Sequence, residues 1–162
     1  MNENTEKLQA TGQRVWLDSI SRELLSSGTL ARYVAELSVT GLTSNPTIFE
    51  HAISRSADYN DAIAASAALG ASDESIFFDL ALDDLRRVAD IFRPIFDASG
   101  GVDGWVSLEV SPLLAHDATN TINAARELHA RAARPNLFIK IPGTAAGIGA
   151  IEQAIFDGVP VN

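Results

Sequence analysis

Four short apolar runs, each followed by a stretch of helical periodicity, constrain this chain more than anything else in it. They are Val15-Trp16-Leu17-Asp18, Gly41-Leu42-Thr43-Ser44-Asn45, Trp105 to Val110 and Asn136 to Ile141. Short runs rich in branched and aromatic residues and bounded by turn residues read as buried strands. Strands separated by whole helices imply parallel β-α units. A β/α barrel and a doubly wound sheet both satisfy that alternation. No Gly-rich phosphate fingerprint follows the first strand, which counts against the nucleotide-binding version of the second.

The helices between them follow from caps and spacing. Residues 1–13 are polar and read as a frayed lead-in to a single unit over residues 14–162. Ser21 to Leu25 is a brief helical turn. Thr29 is an N-cap candidate, with Leu30, Val34 and Leu37 at helical spacing up to about Val39. Pro46 suits the first position of a helix over 46–54, and an alanine-rich helix follows over about 58–69. Ser72 caps a long helix whose first turn carries Asp73 and Glu74 and whose buried stripe is Phe77, Ala81, Leu85, Val88, Phe92 and Ile95. Pro94 is where it would kink, and Ser99-Gly100-Gly101 ends it. Residues 118–133 form a helix stopped by Pro135. Thr144 to Phe156 forms another, with Ile148, Ile151 and Ile155 inward and Gly158 after it. Val159 to Asn162 opens a fifth strand.

Alternation along the strands sorts their side chains into two faces. Val106, Leu108 and Val110 share one face, and Ser107, Glu109 and Ser111 the other. Leu137, Ile139 and Ile141 oppose Phe138 and Lys140; Trp16 goes with Asp18 and Thr43 with Asn45. In a barrel the apolar face packs on the helices and the mixed face lines the interior. Each strand then delivers one polar group at its C-terminal end, where barrel enzymes keep their chemistry: Asp18, Asn45, Glu109 and Lys140. Singly, each has an ordinary role. Asp18 would cap the next helix, Asn45 would make the turn before Pro46, and Glu109 would pair with Lys140. Their coincidence at equivalent strand ends is what points to a site.

Lys140 is the sharpest of the four. Of the 12 basic residues only Lys7 and Lys140 are lysines, and Lys7 lies in the polar N-terminal stretch. A lysine in an apolar run is costly to bury as the ammonium. Desolvated, it becomes an amine able to form a Schiff base with a carbonyl substrate. A structural lysine paired with a carboxylate, or snorkelling from the strand end, is the alternative. His51, His116 and His129 fall in separate segments without metal-ligand spacing, so no metal site is expected. Arg86-Arg87 reads as a solvated helix face. Ser107 and Ser111 have no neighbouring histidine, so a serine nucleophile is not expected.

The net charge of −9 argues against nucleic-acid and membrane-surface partners. The absence of cysteine excludes disulfides and thiolate metal sites and suits a cytoplasmic protein. No signal peptide or membrane span is expected.

The motifs together resemble a known family. Trp16-Leu17-Asp18-Ser19, Thr43-Ser44-Asn45-Pro46-Thr47-Ile48-Phe49, Ser107-Leu108-Glu109-Val110-Ser111 and Ile139-Lys140-Ile141-Pro142-Gly143-Thr144 are similar to the N-terminal half of a transaldolase. The resemblance implies a (β/α)8 barrel of the class I aldolase type with about its first half present. It implies transfer of a dihydroxyacetone unit between sugar phosphates in the pentose phosphate pathway, with no cofactor. It implies Lys140 as the Schiff-base lysine, Asp18 as general acid/base in carbon–carbon cleavage, and Glu109 as the carboxylate that shuttles protons through a water. Thr43, Asn45 and Asn162 would contact substrate. Related aldolases that release free dihydroxyacetone share the lysine but tend to carry glutamine where Glu109 stands, and are more compact between the second and third strands. The family's phosphate-binding serine and arginines lie on later strands. Residues 1–162 alone are therefore expected to be inactive and to self-associate through open barrel edges; a non-catalytic remnant that binds a sugar or a partner chain is the competing reading.

Overall fold

A computed structural model describes residues 2–162, and its sheet is parallel throughout. The strands β1 (Val15–Asp18), β2 (Val39–Thr43), β3 (Val106–Glu109) and β4 (Leu137–Lys140) lie side by side in chain order. Asp18 is in register with Thr43, and Glu109 with Lys140. Between β2 and β3 only Leu42 and Val106 pair in register. The expected fifth strand begins on the free edge of β4. There Val161 bridges Ile139, the Ile139 amide donates to the Pro160 carbonyl at 2.9 Å, and the Asn162 amide donates to the Ile139 carbonyl at 3.0 Å.

The helices are α1 (Glu3–Ala10), α2 (Arg22–Ser26), α3 (Thr29–Leu37), α4 (Pro46–Arg55), α5 (Asn60–Ala68), α6 (Asp73–Ala98), α7 (Ala118–Ala132) and α8 (Ala145–Phe156). Their starts are chemically marked. Ser21, Asn45, Ser72, Asp117 and Thr144 each accept a hydrogen bond from a backbone amide of the first turn, which satisfies a donor the helix itself cannot. Helix α6 runs unbroken through Pro94. None of the helices is long and apolar enough to cross a membrane among the described residues.

The core lies between the sheet and its helices. Leu42, Val106, Leu108, Val110, Leu137, Ile139 and Ile141 meet Leu82, Leu85, Val88 and Phe92 of α6 and small residues of α7 and α8 in one buried cluster. A satellite cluster, built on Tyr59, Ile76 and Leu80, ties α4 and α5 to α6. This is the α/β layering that a partial barrel of the expected class requires.

Several expectations need correction. Residues 3–10 form helix α1 rather than a frayed lead-in; no residue of it is buried, and the Asn2 amide donating to Glu36 O and the Gln9 amide donating to Ser38 O hold it down. Thr29 is inside α3, and Gly28, at φ +73°, stands at the cap position. Ser38 stops that helix in a left-handed conformation, so β2 starts at Val39 and ends at Thr43, two residues earlier than its sequence pattern indicates. Phe77 and Ile95 are half-buried, and Ile76, Leu80 and Leu82 complete the α6 stripe. Helix α8 is rotated relative to expectation. Ala150 and Ala154 are buried, while Ile148 and Ile155 are 65% and 59% exposed. Close approach explains this, since a Cβ on Gly147 would strike the Pro142 carbonyl at 1.8 Å and only small residues fit along that line. Arg86 is not a solvated side chain: it donates to the carbonyls of Arg131 and Ala132 and closes the C-terminus of α7.

Candidate active site

The inner face of the sheet, opposite the helices, is built in two layers. Toward the N-terminal ends of the strands lie aromatic rings: Trp105 stacks on Phe138 with centroids 3.9 Å apart, and Trp16 lies 6.5 Å from Phe138. Phe96 meets Trp105 edge-on, and the Trp105 indole donates to the Gly101 carbonyl. Gly41 makes room for this layer, because a Cβ there would fall 2.4 Å from the Trp16 ring. Two residues beyond Trp16, Gly41 and Phe138 come Asp18, Thr43 and Lys140, and on β3 Glu109 lies two beyond Ser107, the register partner of Phe138. The period of two that pairs Trp16 with Asp18 and Phe138 with Lys140 therefore separates an apolar floor from a polar rim.

Lys140 and Glu109 are in direct contact. Nζ lies 3.3 Å from Oε2, and the two side chains are 29% and 24% exposed. Lys140 is thus half-buried rather than desolvated inside the strand. Its ammonium also donates to the Ser44 carbonyl at 3.3 Å. Ser44 follows β2, and β3 stands between β2 and β4, so the lysine leans across the strand that carries Glu109. The strand ends converge on the inner side, as in a curved sheet.

The other expected residues sit on the same rim with different partners. Asp18 is exposed at the end of β1 beside half-buried Thr43. The Asp18 carboxylate does not cap α2; Ser21 does. Asn45 uses its side-chain oxygen to cap α4 through the Ile48 amide at 2.9 Å, which leaves its NH2 group for other partners. Asn162 donates from Nδ2 to Ser107 Oγ at 2.8 Å. Ser107 is fully buried, and its carbonyl accepts from Ser44 Oγ at 3.0 Å. Ser44 and Ser107 thus connect β2, β3 and the segment after α8 beneath Lys140. Sequence reading passed over Ser44, although its place between Thr43 and Asn45 was the available signal.

The three histidines do not converge on the rim: His51 is on α4, His116 in the loop before α7 and His129 on α7, where burial holds its pKa below the usual histidine value. A cleft of about 860 Å³ lies elsewhere, between α1, α3 and the end of α6. What the rim offers is an amine, a carboxylate touching it, a second carboxylate and two amides. That set can add an amine to a carbonyl and move the protons the addition requires.

Known proteins resemble this chain over nearly all of its length. A transaldolase from Saccharopolyspora erythraea is 46% identical over 161 residues, covering 99% of this chain and 43% of the relative. A Nostoc transaldolase 2 is 42% identical, covering 96% of this chain and 41% of its own length. A transaldolase from Thiobacillus denitrificans is 42% identical, covering 98% and 44%. The chain therefore spans less than half the length of these relatives. The family model described as transaldolase/fructose-6-phosphate aldolase matches residues 15–162, a range that takes in every strand and the whole polar rim, and the chain belongs to that family.

Proposed function

We propose that the protein containing this chain is a transaldolase that transfers a dihydroxyacetone unit between sugar phosphates through a Schiff base on Lys140. The observation that carries the reading is the Lys140–Glu109 contact of 3.3 Å at register-paired strand ends on a rim of this family's barrel. Attack by Nζ on the ketose carbonyl gives a carbinolamine, whose oxygen must be protonated and lost as water. Glu109 shuttles those protons through a water. Aldol cleavage then needs a base for the substrate hydroxyl, with the iminium as electron sink, and Asp18 takes that role from β1. Thr43, Asn45 and Asn162 hold the dihydroxyacetone moiety. The steps require neither metal nor organic cofactor.

Glu109 favours transfer over release of free dihydroxyacetone by the aldolase branch of the family. The pathway is the pentose phosphate pathway and the setting the cytoplasm. Residues 1–162 by themselves hold a sheet with open edges at β1 and beyond β4, and such a sheet does not enclose a substrate. By themselves they turn over slowly or not at all and self-associate.

The test is borohydride trapping with fructose 6-phosphate. The whole protein that contains this chain is expected to carry the reduced sugar on Lys140, and its Lys140→Arg variant to carry none, because a guanidinium stays protonated. Sugar found on Lys7 in place of Lys140 would sink the assignment.

A further inference from the structure

We propose that Ser44 is the positioning residue for Lys140, an inference that rests on Lys140 being the imine-forming amine. The backbone pairing between β2 and β3 is limited to Leu42 and Val106. Two residues beyond it, where the strands part, Ser44 Oγ donates to the Ser107 carbonyl at 3.0 Å, so a side chain takes the place of the missing ladder bond. Ser44 is 1% exposed. On its other side, Asn45 is fixed as the cap of α4. The Ser44 carbonyl is therefore held from both directions, and it is this carbonyl that accepts from Lys140 Nζ at 3.3 Å.

The consequence is stereochemical. A neutral amine has two hydrogens and one lone pair. With the Ser44 carbonyl and Glu109 as acceptors for the two hydrogens, the lone pair is left for a carbonyl carbon. The C–N bond forms from that pair, the carbonyl π pair passes to oxygen, and a proton from nitrogen ends on that oxygen. Loss of the oxygen as water completes the imine, with no oxidant or reductant. A lysine free to rotate would spend much of its time with the lone pair turned elsewhere.

Because the chain has only two lysines, the test reads Lys140 directly. Lysine labelled with ¹³C at Cε gives one signal for Lys140 and one for Lys7, which is exposed on α1. In Ser44→Ala the Lys140 signal is expected to move toward that of Lys7, and borohydride trapping of fructose 6-phosphate by the whole protein to slow on the order of tenfold, the worth of about one net hydrogen bond. Ser44→Thr, which keeps the hydroxyl, is expected to restore both, with Lys7 unchanged throughout. If Ser44→Ala does not fold, Ser44→Cys, of similar size and a weaker donor, is read in its place with the same two outcomes. A Lys140 signal that stays at its wild-type position in a folded variant overturns the proposal, as does failure of the threonine to restore it. If the whole wild-type protein is never trapped, the imine reading fails, and the signal of Lys140 alone still decides whether Ser44 holds it.

Discussion

On the helix side of the sheet, Leu42, Val106, Leu108, Leu137 and Ile139 are each no more than 2% exposed, packed against α6, α7 and α8. On the inner side, Trp16, Thr43, Glu109, Phe138 and Lys140 are all half-buried. The same strands carry both sets, so propensity and register are shared and only the neighbours differ. Each buried aliphatic side chain on the first face contributes about 1.5–3 kcal/mol from area removed from water. The Lys140–Glu109 pair, still partly hydrated, contributes about 0–1 kcal/mol at most. The helix-side face holds the fold together, and the inner face is thereby free to present a lysine and carboxylates that add little to stability. Residues one step apart in sequence should consequently respond to mutation in opposite ways.

The largest effect that sharpens this contrast is expected on β3. Leu108→Ala should cost about 2–5 kcal/mol, as large-to-small changes in a packed core do. Glu109→Gln, its chain neighbour on the inner face, should change stability by less than about 1 kcal/mol. On the proposed mechanism it should slow imine formation by roughly 10²–10⁴. Urea unfolding of both variants and single-turnover trapping of the second read the two effects. Equal destabilisation by both substitutions would break the comparison.

A smaller effect separates the two layers of the inner face. Gly41→Ala pushes a methyl into the Trp16 ring and should cost about 1–3 kcal/mol by overpacking, with a change in tryptophan fluorescence. Gly149→Ala, in α8 with nothing within 4 Å of the added Cβ, should instead stabilise by about 0.5–1 kcal/mol through helix propensity. If Gly41→Ala were as harmless, the aromatic floor would be loosely packed and the inner face a single open surface.

The unequal legibility of the two faces in the sequence has the same origin. Period-two alternation correctly divided β3 and β4 and set Asp18, Glu109 and Lys140 on one rim, because parity depends on the strand alone. The caps at Ser72 and Asn45 were marked by local chemistry, although Asn45 was read as a turn residue. Helix α8 defeated the pattern: Ile148, Ile151 and Ile155 form an apolar stripe as good as the stripe of Gly147, Ala150 and Ala154, and the choice between them is made by how closely the helix approaches Pro142. The partners of Ser44, Ser107 and Arg86 depend on segments 45 to 96 residues away, which no local pattern encodes.

A buried carboxylate on the helix side gives the subtlest test. Asp84 of α6 is 0% exposed. Its carboxylate accepts from Arg22 Nε at 3.1 Å and from the Tyr59 hydroxyl at 2.8 Å, with Asp83 and Arg87 nearby. Burial raises its pKa above the ordinary 3.8, ahead of the lowering effect of Tyr59 and Arg22. A carboxyl whose folded pKa lies above its unfolded one binds its proton more tightly when folded. Its contribution to stability is fully present below the unfolded value and is lost as pH rises through the folded one. Asp84→Asn cannot titrate, so the stability of wild type relative to this variant should be greatest in acid and should decline as pH climbs toward neutrality. Groups common to both proteins cancel in that difference. Urea midpoints of the pair, from about pH 3.5 to about pH 7, bracket the ordinary aspartate value and measure it. A difference that stays flat, or that grows with pH, would mean Arg22 and Tyr59 outweigh burial, and that even the dry side of the sheet tolerates a charge at no cost.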